Sequence, residues 1–136
     1  MASPHEPPAT RPEGGALNGA ISEAVVRLMA GVTGRGPTKA RTTIDGNLIV
    51  VLVQNTLTHG ERSLADAEHQ REVLALRSAF QETMRADCIT SVQTLTGRTV
   101  LAFMSANHID PDLAAEIFVL EAETPASGGA PQRGGY

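Results

Sequence analysis

Two β-rich runs, Thr38 to Ile44 and Asn47 to Gln54, are separated only by Asp45-Gly46. Asp-Gly between such runs is a strong short-range hairpin signal, because the favoured two-residue turn needs positive φ at its central positions. The second run contains Leu48-Ile49-Val50-Val51-Leu52-Val53, the longest strongly apolar stretch in the chain. Successive side chains of a strand point to opposite faces, so a strand apolar at every position belongs inside a sheet that is covered on both sides.

The other elements assemble around this hairpin. Leu17 to Met29 carries Leu17, Ile21, Ala24, Val25, Leu28 and Met29 at helical spacing, and Gly31 and Gly34 mark its end. Thr58-His59-Gly60-Glu61 has the spacing of a capping box. It predicts a short helix near 60–68, a bend, and a main helix near 70–95 stopped by Gly97. Val73, Leu76, Phe80, Met84, Cys88, Val92 and Leu95 trace one face of that main helix. Arg71, Glu72, Arg77, Glu82 and Arg85 read as its solvated side. Thr99 to Ser105 and Glu116 to Glu121 read as two further strands. Between them Asp110-Pro111 reads as the N-cap and first position of a brief helical turn. The order α-β-β-α(α)-β-β predicts an α+β fold: an antiparallel four-stranded sheet of two hairpins with helices on one face.

Composition sets the limits. At 136 residues the chain is one domain, expected over 17–123. Proline and glycine concentrate outside that range, so disordered tails are expected at 1–16 and 124–136. Three Phe, one Tyr and no Trp leave little for nucleobases to stack on, and a net charge of −4 argues against nucleic acid altogether. The single cysteine, Cys88, rules out an intrachain disulfide and suits a reducing compartment. No apolar segment reaches the ~20 residues of a membrane-spanning helix, so a soluble, cytoplasmic protein is expected, with any membrane role peripheral.

Against that acidic background, Gly34-Arg35-Gly36-Pro37-Thr38-Lys39-Ala40-Arg41 is conspicuous, since no Asp or Glu lies between Glu23 and Asp45. Residues two apart on a strand share a face, so Lys39 and Arg41 project together. Arg35 sits between glycines able to gather backbone N–H groups. Arg35, Gly36, Thr38, Lys39 and Arg41 are therefore candidates to hold an anion or an acidic partner, with Arg98, Asn107 and His108 extending the set. The competing use is a turn and an edge strand whose solvated charges deter aggregation.

Other chemistry is thin. His108, Asp110 and Asp112 fall within five residues and could ligate a metal, but without a second distant His or Cys the same residues are better explained as a turn. His108 is the one acid/base candidate for an enzyme acting on an anionic metabolite. No dinucleotide or phosphate-loop fingerprint is present, and no cofactor is expected. Aliphatic strands on both faces of so small a sheet favour a homodimer that covers the second face.

Taken in order, Gly34 to Arg41, Asn47-Leu48-Ile49-Val50-Val51, Leu57-Thr58, Leu95-Thr96-Gly97-Arg98 and Asn107 to Asp112 resemble the MpsC family, a bacterial domain of unknown function labelled a Na+-translocating membrane potential-generating system. The resemblance spans roughly Ile21 to Leu120. It implies an accessory role beside a membrane system that moves ions or bicarbonate, with a membrane-transport protein as partner.

Overall fold

The computed structural model describes residues 11–35 and 39–122. Its elements are α1 (Gly14–Thr33), β1 (Lys39–Asp45), β2 (Leu48–Gln54), α2 (His59–Asp66), α3 (Gln70–Thr96), β3 (Val100–His108) and β4 (Leu113–Leu120). The four strands form one antiparallel sheet in the order β1-β2-β4-β3. The apolar strand β2 is thus central, as its pattern demands, and the late strand β4 pairs with it. β1 and β3 are the edges.

Helices α1 and α3 pack on each other and on one face of the sheet. Ile21, Val25 and Met29 from α1 and Met84, Cys88 and Val92 from α3 meet Ile49, Val51, Val53 and Phe118, all essentially inaccessible. Phe103 and Phe118 pack across β3 and β4 with ring centroids 4.9 Å apart and ring planes tilted by 44°. A smaller cluster of Leu57, Ala65 and Val73 holds α2.

Local signals explain the boundaries. Thr58 Oγ1 accepts from the Glu61 amide at 3.1 Å while Glu61 Oε1 accepts from the Thr58 amide at 2.8 Å, completing the predicted capping box. Gly34 and Gly97 end α1 and α3 in the left-handed region, at φ 78° and 70°, where a side chain would be strained.

Two local expectations are corrected. The brief helical turn at Asp110-Pro111 does not form: β3 runs on to His108, β4 begins at Leu113, and 109–112 is the turn joining them, with the Asp110–Pro111 peptide cis. The buried stripe of α3 also differs in its first half, where Arg77 and Gln81 face inward and Leu76 outward. Those two polar side chains are buried because partners wait for them under the sheet. The predicted tails fall mostly outside the described residues, although α1 already includes Gly14 to Ala16.

Candidate functional site

The structure separates the basic residues. Arg35 turns inward, its Nη1 donating to the Leu57 carbonyl. Gly36, Pro37 and Thr38 lie outside the described residues. Lys39 and Arg41 project from the outer face of β1, opposite Gln54 and Leu52. With Ala40 these residues line a shallow depression of about 280 Å³. Among the described residues neither cation forms an ion pair.

Arg98 works at the other end of the sheet. Its guanidinium donates to the Gly46 carbonyl at 2.9 Å and the Glu121 carbonyl at 3.2 Å, tying the β1–β2 turn to the end of β4. His108 shares a cross-strand row with Lys39, through Gln54 and Leu113, but from the opposite edge. Three inter-strand gaps, roughly 14 Å, separate the two positions. His108 is exposed and bonds the Pro111 carbonyl at 2.8 Å.

Asp112 has a structural engagement. Oδ1 accepts from the Thr56 amide at 3.1 Å and the Thr56 hydroxyl at 2.9 Å, while Oδ2 accepts from the Leu57 amide at 3.0 Å. Arg62 adds an ion pair at 3.3 Å. One carboxylate thereby ties the β3–β4 turn to the chain entering α2. Asp110 is exposed. Among the described residues no three His, Cys, Asp or Glu side chains gather where a metal could sit.

Asn107 belongs to a buried seam that sequence reasoning missed. Its amide exchanges hydrogen bonds with Gln81, 2.8 and 3.0 Å long. Gln81 Nε2 also donates to Glu116 Oε2 at 3.0 Å, and the Ser105 hydroxyl donates to Oε1 at 2.6 Å. Burial pushes the Glu116 carboxyl up to about 7, although those two hydrogen bonds and the charge of Arg77 oppose the shift. One helical turn before Gln81, Arg77 reaches the Thr56 carbonyl at 3.3 Å and Glu61 at 3.5 Å. A cleft of about 190 Å³ lined by Ser78, Arg85 and Ser105 lies beside the seam. Cys88, pushed up to about 12 mainly by burial, is no nucleophile. The available signal for the seam was a single acidic residue, Glu116, in the otherwise apolar run Leu113 to Leu120.

The outer face of the sheet is different in kind. Leu48, Val50 and Leu52 of β2, Leu113, Ala115, Ile117 and Val119 of β4, and Ala102, Met104 and Ala106 of β3 all share it by register. The apolar contacts of α1 and α3 run to the opposite, inner face, leaving Met104 50% exposed and Leu48 39%. Polar groups appear at its margins: Lys39, Arg41, Thr43 and Asp45 along β1, Gln54 and His108 at one end.

Nor does the sheet invite another strand. Asn18 of α1 donates to the Thr42 carbonyl in mid-β1 at 3.1 Å, and Arg85 of α3 donates to the Phe103 carbonyl in mid-β3 at 3.1 Å. Each edge strand thus has a backbone acceptor already engaged by a helix side chain.

No described helix is long and apolar enough to cross a membrane. No curated protein and no solved structure matches the chain. A family model does, the Na+-translocating membrane potential-generating system (MpsC), over residues 13–122, and the chain belongs to that family.

Proposed function

We propose that this protein is a non-catalytic interaction module, an accessory component of the kind of membrane system for which its family is named, and that its working surface is the outer face of the sheet. One observation carries this: three neighbouring strands present aliphatic side chains outward, and none of the described helices lies over them. An antiparallel sheet with one wet face alternates apolar and polar residues. Here the outward positions of β2 and β4, Gln54 apart, are apolar as well. The partner this face fits is a protein surface that is apolar in the middle and carries a carboxylate toward the Lys39, Arg41 and Gln54 corner. That corner retains the anion-recognising role expected of the basic segment, now resting on Lys39 and Arg41.

The double variant Met104→Glu/Ile117→Glu tests the proposal. Both side chains are outside the core, so dilute protein should keep its helical circular dichroism and unfold cooperatively. Association, read as mass in solution by light scattering and as co-sedimentation with membrane vesicles from the native host, should be lost. A folded double variant that associates as the wild type does would overturn the proposal.

A further inference from the structure

We infer that the partner seated on this face is a second copy of the chain, stacked sheet on sheet about a two-fold axis that runs across the strands. The inference rests on the outer face being the working surface and names what covers it. Two sheets pack face to face with strand directions within about 30° of each other. An axis lying between the sheets and perpendicular to the strands places each strand over its own copy, reversed in direction.

Charge favours this arrangement. On the outer face β1 reads Lys39, Arg41, Thr43, Asp45, with the cations at one end and the carboxylate at the other. Reversal places Lys39 over Asp45 of the second copy and Asp45 over its Lys39, with Arg41 and Thr43 facing in between. Asp45 is exposed and, like Lys39, has no ion-pair partner among the described residues. The alternative axis, parallel to the strands, would instead put Lys39 over the His108 edge and leave Asp45 over Ala102.

Side-chain size agrees. One central row across the sheet is Leu52, Ala115, Ala106, and the next is Val50, Ile117, Met104. Reversal lays one row over the other, so the small Ala115 meets Ile117 and the small Ala106 meets Met104. Large over small is how facing layers interdigitate at native density.

None of the described elements covers this face. Residues 1–10 and 123–136 contain Met1 and Tyr136 as their only large apolar side chains, among prolines, glycines and charges. The contact is small, about 20 Å along the strands by about 14 Å across them between outermost Cα positions. Dimerisation should therefore be reversible and concentration-dependent rather than obligate.

Sedimentation equilibrium of the full chain decides the matter. Wild type should show a monomer–dimer equilibrium. Lys39→Asp and Asp45→Lys should each weaken it roughly tenfold by placing like charges opposite, and the combined swap should recover to within about twofold of wild type. Wild type that stays monomeric at every concentration would overturn the second copy. A swap as weak as the single variants, or single variants as tight as wild type, would overturn the two-fold arrangement. Monomeric wild type together with Met104→Glu/Ile117→Glu losing its membrane association would leave the docking face standing while removing this occupant. If the double variant changes nothing, the face itself is refuted.

Discussion

Phe118 and Ile117 are neighbours on β4 and point to opposite sides of the sheet. Phe118 is fully buried against the helices, whereas Ile117 lies half-buried with none of the described helices over it. The inner face also accommodates charge, because the chain supplies a partner for each group: Ser105 and Gln81 for Glu116, Thr56 and Glu61 for Arg77. The outer face holds no polar group in its centre and several on its β1 margin. A face finished by its own chain can bury ionisable groups in fixed pairs. A face finished by another molecule is better left aliphatic in the middle, with charges where they can find a partner at the rim.

The sharpest way to break that contrast is to truncate the two neighbours. Phe118→Ala should cost about 3–5 kcal/mol of stability in dilute solution, while Ile117→Ala should cost under about 1 kcal/mol, both read by urea unfolding. Equal losses would mean that the outer face is already covered within the monomer. Asp112→Ala comes next. It removes the acceptor for two backbone amides and the Thr56 hydroxyl, so a loss of about 2–3 kcal/mol is expected. A silent substitution would show that these amides find water instead.

The inner seam should also respond to pH. Burial raises the Glu116 carboxyl from its ordinary range to about 7 in the folded chain. The folded state then holds its proton more tightly than the unfolded state does. This contribution to stability is complete below the unfolded value of about 4.5 and is lost as pH rises through about 7. Between pH 5 and 8 the wild type should lose about 2 kcal/mol relative to Glu116→Gln, whose side chain carries no proton to release. Parallel pH curves for the two proteins would place the charge of Glu116 in solvent.

Much of the architecture was readable because its signals are local. Asp45-Gly46 between two β-rich runs, Thr58 with Glu61, and Gly97 after a long helical pattern each act within a few residues. The cap and the stop stand where the pattern placed them, and the hairpin forms with its two-residue loop one position later, at Gly46-Asn47, because Asp45 still pairs with Leu48. The pairing of β2 with β4 and the inward turn of Arg77 depend on residues distant in sequence. Mixed charge along α3 gave no hint that Arg77 would be needed beneath the sheet. The candidate site was legible in half. Strand periodicity put Lys39 and Arg41 on one face, whereas Arg35 was drawn off by the Leu57 carbonyl, Arg98 by Gly46 and Glu121, and Asn107 by Gln81. Short range predicts which side chains share a face, and only the tertiary fold decides which of them remain available.

The most direct test of the central claim is solvent access to the outer methyl groups. With the full chain methyl-labelled and concentrated, and a soluble paramagnetic probe added, Val50 and Ile117 should be shielded nearly as well as the inward-facing Val51 and Val53. Strong relaxation of Val50 and Ile117 at every protein concentration, with Val51 and Val53 unaffected, would show a bare face and contradict the claim that a second copy of the chain covers it.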